Sequence, residues 1–174
     1  MRGRRLAGAF ALGILFALWP AWAEAQGGGR PIPGVWRIGG DARVTVFAEQ
    51  TSVGPGQGGA VRMPSIWVLR RAEQTPLGGS MKYFVAAYEY DCAASRFRLA
   101  QIATYSADGD VIEPDLGGTG FQEAEPGSLN ETLLRAACAP FASWMQLGAR
   151  RISAESRSPV ELAAYADFEF QSGS

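Results

Sequence analysis

The chain contains no histidine, one lysine (Lys82) and only two cysteines, Cys92 and Cys138. Each shortage removes a class of chemistry. Without an imidazole no serine has a histidine base, so a serine triad is excluded. A lysine base would have to be Lys82, which opens a strand candidate and has no paired serine motif. Lysine patches of the kind many polyanion binders use are missing, because 15 of the 16 basic residues are arginine. Beyond the first residues, no stretch is long and apolar enough to span a bilayer, which takes about 20 residues.

The N-terminus supplies a context for the two cysteines. Arg2, Arg4 and Arg5 form a positive start, Leu6 to Trp19 is an apolar run broken only by glycines, and Pro20 follows. This order reads as a signal peptide over residues 1–25. Two small-residue cleavage sites overlap, Ala21-Trp22-Ala23 and Ala23-Glu24-Ala25, and the second is preferred. An uncleaved N-terminal anchor is the alternative. No cysteine lies near either site, so a lipid-bearing N-terminal cysteine is not expected. The expected location is outside the cytoplasm, in the periplasm or on the outer cell surface, with no integral span after cleavage. In an oxidising compartment a lone cysteine pair reads as one structural disulfide, Cys92 to Cys138. Oxidised cysteines leave no ligands for zinc. No metal, cofactor or catalytic group is expected, and the chain reads as a non-enzyme.

Cleavage before Gln26 leaves 149 residues, enough for one domain with a real core. It also leaves 13 basic and 16 acidic residues. A mildly acidic chain is a poor general binder of nucleic acid, whose phosphates demand clustered cations. Residues 26–34 are a Gly/Pro leader. Val35 to Ile38 and Arg43 to Phe47 are strand candidates, the second with Val44 and Val46 on one face and Arg43, Thr45 and Phe47 on the other. Gly54 to Ala60 holds a literal G-x-G-x-x-G. A strand follows it where a phosphate site needs a helix, so it reads as a hairpin loop. Ile66 to Leu69 is a third strand.

Lys82 to Cys92 is the strongest strand signal, rich in aromatic and β-branched residues. Its Phe84, Ala86, Tyr88, Tyr90 and Cys92 face is expected to be the buried one. Phe97 to Tyr105 follows, with Phe97, Leu99, Ala103 and Tyr105 alternating against Arg96, Arg98 and Thr104. Asp108-Gly109 marks a hairpin turn, with Val111-Ile112 returning and Thr119 to Gln122 as one more short strand. Asp108, Asp110, Glu113 and Asp115 read as a solvated acidic hairpin, not a calcium loop. Ser128 and Glu131 have capping-box spacing and open a helix through Cys138, packed through Leu133, Leu134, Ala137 and Cys138. Ser158-Pro159-Val160-Glu161 opens a second helix through Ala166. Phe168-Glu169-Phe170 could add an edge strand or pack down. Arg70-Arg71 and Arg150-Arg151 read as solvated pairs, with an anion contact as the lesser alternative. Asn130-Glu131-Thr132 fits a glycosylation sequon by chance, since it falls in a first helical turn.

The block from Tyr88 to Cys138 resembles the bacterial surface-adhesin protein E family. The resemblance rests on Tyr90-Asp91-Cys92, Arg96-Phe97-Arg98, Tyr105 with Asp108-Gly109 and Val111, Pro126-Gly127-Ser128, and Leu133 with Cys138. It covers residues 35–139 and leaves 140–174 as a C-terminal extension. It implies an α+β domain, an antiparallel sheet covered by a helix and held by Cys92–Cys138. It also implies a role in attachment to a protein or cell-surface partner. An exposed sheet face carrying Arg43, Phe47, Arg96 and Arg98 is the expected contact surface, since arginine and aromatic residues anchor interfaces. The competing expectation is a structural or assembly component of a periplasmic envelope complex.

Overall fold

The structure, a computed structural model, describes residues 33–114 and 117–172. The signal peptide, most of the leader and Asp115 therefore lie outside the described residues. Among the described residues nine strands form one antiparallel sheet: β1 (Val35–Gly40), β2 (Val44–Glu49), β3 (Gly54–Pro55), β4 (Val61–Gln74), β5 (Ser80–Asp91), β6 (Arg96–Tyr105), β7 (Val111–Glu113), β8 (Gln122–Glu123) and β9 (Arg150–Arg151). The spatial order is β7-β6-β5-β4-β2-β1-β9, with β3 beside β4 and β8 beside β6. Strands adjacent in sequence mostly pair, as short connections dictate. The helices among the described residues are α1 (Leu129–Cys138) and α2 (Pro159–Ser172).

The sheet is packed on both faces. On the first, Trp36, Val46, Met63, Trp67, Ala86, Tyr90 and Phe97 meet Leu133 and Ala137 of α1 together with Phe141 and Trp144. The buried Trp144 indole donates to the Ala136 carbonyl at 2.8 Å and meets the Trp36 ring edge-on at 5.9 Å. On the second face, Val35, Phe47, Val68 and Tyr83 meet Leu162, Ala163 and Ala166 of α2. The family resemblance ends at Ala139, but packing continues across it. Residues 140–174 supply Trp144 to one core and α2 to the other.

Both helix starts follow their capping signals. Ser158 Oγ accepts from the Glu161 N–H at 3.3 Å, and Glu161 accepts from the Ser158 N–H at 2.8 Å. At α1, Ser128 Oγ accepts from the Glu131 N–H, while Glu131 reaches the N–H of Gly127 instead of that of Ser128. The cysteines are joined, Cys92 one residue beyond β5 to the last residue of α1, with Cα atoms 5.5 Å apart. Closing a loop with this sequence separation of 46 contributes about 4 kcal/mol in the chain-entropy treatment.

Several expectations are corrected. Strand β4 is far longer than Ile66 to Leu69 and runs through Pro64. That proline sits between the stretches of β4 paired to β3 and to β2, where its missing N–H breaks no ladder on that side. In β6 the register jumps from Ala87↔Gln101 to Tyr88↔Leu99, leaving Ala100 unpaired. This bulge reverses the alternation. Ile102 and Thr104 therefore face the same way as Phe97 and Leu99, whereas Ala103 and Tyr105 turn to the other side with Tyr83. The last short strand is Gln122–Glu123, later than expected. Phe168-Glu169-Phe170 is helical, because α2 continues to Ser172 and packs Phe170 against the second core. Glu113 is 5 % exposed, so it is not part of a solvated acidic hairpin.

Candidate functional site

The expected contact surface is divided by the fold. Phe47 is fully buried, because α2 lies over the face of β2 that carries it. It belongs to a core and not to a surface. Arg43 precedes β2, at the end of the sheet where Val44 pairs with Leu69. Arg96 and Arg98 lie at the opposite end, paired with Asp91 and Glu89. The four residues therefore do not form one exposed patch.

Arg98 and Arg96 remain together. On the sheet face that α2 covers only in part, Gln57, Arg62, Glu89, Arg98 and Thr119 line a cleft of about 220 Å³. At its floor Glu89 is 2 % exposed. Its carboxylate accepts from Arg98 Nε at 2.8 Å, from Arg98 Nη2 at 2.5 Å and from the Gln57 N–H at 3.1 Å. Burial pushes the Glu89 carboxyl up. The bonds from Arg98 and Gln57 and the charges of Arg98 and Arg62 outweigh it, and the group is held below the usual carboxylate range. Arg98 also donates to Gln57 Oε1 at 2.8 Å, and Arg62 donates to Gln101 at 3.1 Å. Beside the cleft, the hydrogen bond from Arg96 keeps Asp91 below its ordinary value.

Sequence reasoning missed Phe121. It reaches this site because β8 pairs with the start of β6, matching Gln122 to Phe97. The Arg98 guanidinium lies 4.8 Å from the centre of its ring and that of Arg96 lies 5.7 Å away. Phe121 stays exposed, so two cations and an aromatic face stand together at the surface. The signal was present only as an isolated aromatic after Gly120. Between the cleft and α2, Pro64, Ile66, Val85 and Leu162 line an apolar hollow of about 170 Å³.

Among the described residues no group of three or more Asp, Glu, His or Cys is placed to hold a metal ion. No described helix is long and apolar enough to cross a membrane. The disulfide closes the same end of the sheet as the cleft, since Cys92 follows Asp91, the partner of Arg96.

Residues 36–139 match the family model described as surface-adhesin protein E. Neither a curated protein nor a solved structure matches the chain. The matched segment is more than half of the sequence and runs from β1 through α1 with both cysteines. The chain belongs to the surface-adhesin protein E family.

Proposed function

We propose that the protein is an exported, non-catalytic domain that binds a protein or cell-surface partner through the Arg96–Arg98–Phe121 corner of the sheet and the cleft beside it. The observation that carries this reading is the Arg98 guanidinium, fixed on buried Glu89 and set under an exposed phenyl ring. A pre-positioned arginine and a rigid aromatic lose little side-chain entropy on binding, which is why such pairs anchor interfaces. The neighbouring apolar hollow offers desolvated area next to these polar anchors. Membership of an adhesin family supports attachment as the purpose.

A second reading, a structural component of an envelope complex, is favoured by one feature of α2. Val160, Ala164 and Phe168 recur every four residues on its outer side and are exposed, while Leu162, Ala163 and Ala166 face the core. A helix apolar on both sides suits burial against a further subunit. Accessibility separates the two readings. Protease and antibody access to the protein on intact cells supports attachment at the surface. Protection until the outer membrane is permeabilised would overturn that and favour the envelope complex.

A further inference from the structure

The partly open face of the sheet changes character along its strands. Pairing sets Ile66 beside Val85, then Pro64 beside Ala87, then Arg62 beside Glu89 and Glu89 beside Arg98. Residues two apart share a face, so these rows lie next to one another. Pro64, Ile66 and Val85, with Leu162 of α2, line the apolar hollow of about 170 Å³. The last row lines the cleft of about 220 Å³. Ile66 and Arg62 are four positions apart, about 13 Å along a strand. The glycine-rich loop walls the cleft by close approach. Its Gln57 N–H bonds Glu89, and a Cβ on Gly56 would stand 3.2 Å from the Glu89 side chain.

Charge in the last row is uneven. Glu89 is taken up by Arg98. Arg62 forms no ion pair among the described residues, and its Nη2 donates to the neutral Gln101 amide at 3.1 Å. One row further out, Asp91 and Glu123 both stand opposite Arg96, so the surplus cation is on the Arg62 side. Glu49 lies on the β2 rim of the hollow, and its charge disfavours an acid at that end. Resting on the reading of this corner as a partner site, we propose that the partner enters as an extended acidic segment of protein. One apolar side chain fills the hollow, and a carboxylate four residues away meets Arg62.

The choice of a polypeptide follows from size and spacing. Both spaces are smaller than the roughly 300–1,000 Å³ that encloses a separate small molecule, and each suits one side chain. A polypeptide supplies two such groups at a fixed distance. An acyl anion would need apolar lining beyond the hollow, and the sheet turns polar toward Arg62. Between the two spaces Pro64 and Ala87 raise no long side chain, so a backbone can cross close to the sheet. In an extended chain, groups four residues apart point to the same side and span the same distance as the rows beneath.

The probe is a random twelve-residue peptide library displayed on phage, selected at low salt on the oxidised, signal-free protein. The expected winners carry an aspartate or glutamate four positions from a leucine, isoleucine or phenylalanine. One winner is then synthesised with its acid or its amide and measured on wild type and Arg62→Gln at matching melting temperatures. The acid should be worth about fivefold on the wild type, the scale of a surface ion pair, and nothing on Arg62→Gln. Truncating the apolar residue to alanine should cost about tenfold on both, and little on Val85→Phe, whose ring fills the hollow. No winners, winners without this pattern, or an acid worth as much on Arg62→Gln as on wild type overturn the segment. Laurate that binds and displaces the peptide would make the hollow an acyl site and overturn it as well. The corner is judged separately, by retention of a Phe121→Ala, Arg96→Ala variant on matrix proteins or outer-membrane fractions, since that variant keeps Arg62 and the hollow. If it loses retention while no pattern is selected, the segment fails and the corner stands. If it keeps retention, the corner fails.

Discussion

Arg98 delivers two hydrogen bonds to one oxygen of Glu89, at 2.8 and 2.5 Å, from a side chain that also lies 4.8 Å from the centre of the Phe121 ring. The buried carboxylate therefore sets the position of the exposed aromatic corner. Arginine suits this place better than lysine, since a planar fork can bond an acid along one edge while its face meets a ring.

Acid should weaken this arrangement. Glu89 is held below the ordinary glutamate value of about 4.3, so its contribution is complete above that value and is lost as pH falls through the lower, folded value. Glu89→Gln should lose about 1–3 kcal/mol at neutral pH, because a neutral amide removes the charge paired with Arg98 and has one acceptor oxygen where Arg98 and the Gln57 N–H use two. It should then show a smaller further loss in acid than the wild type. Urea unfolding of both proteins at neutral and acid pH checks this, and equal acid losses would contradict it.

The disulfide joins the end of β5 to the end of α1. Cys92→Ser should lower stability by about 2–5 kcal/mol and expose the Cys138 thiol. Thiol titration of the oxidised wild type after unfolding should find no free thiol, and two would contradict the pairing.

Much of the first layer was legible in the sequence, and the reasons are local. The Asp108-Gly109 turn, the existence of β5 and the Ser128 and Ser158 caps are each written within a few residues. The expectation that only the Phe84 face of β5 is buried fails, because α2 covers the other face and buries Tyr83. What was not legible depends on long-range partners. A single unpaired Ala100 reverses the faces of β6, and nothing in its own sequence marks it. Phe47 reads as solvent-facing until α2, more than a hundred residues later, covers it. A triplet such as Phe168-Glu169-Phe170 is too short to separate a period of 2 from one of 3.6. Phe121 entered the site only through the pairing of β8 with β6.

Lys82 should behave as a core residue despite its charge. Its ammonium bonds the Leu69 and Arg70 carbonyls where β4 bulges between Val68↔Tyr83 and Glu73↔Met81. Lys82→Met removes the donor to these two carbonyls and leaves Asp167 without its ion pair, with an expected loss of about 1–3 kcal/mol. Amide exchange should speed up locally across Leu69 to Ala72. Unchanged exchange there would separate the bulge from Lys82.

Residues beyond the family match should be required for folding. Trp144→Ala should cost about 3–5 kcal/mol, since it empties a fully buried site in the first core. A chain ending after Ala139 would also uncover Val35, Val68 and Tyr83 on the second face. Its thermal unfolding should lack a cooperative transition, and a sharp transition would show that the matched segment folds alone.

The most direct test concerns the aromatic corner. Arg98→Ala is a poor probe, because it strands the buried Glu89 charge. Phe121→Ala with Arg96→Ala removes the exposed groups and leaves the Arg98–Glu89 pair in place. Binding of wild type and variant to immobilised host matrix proteins and to isolated outer-membrane fractions, at equal melting temperatures, reads the face alone. At least a tenfold loss, about 1.4 kcal/mol, on the surface that retains the wild type is the predicted result. Equal retention of the two proteins would contradict the assignment of this corner to a partner.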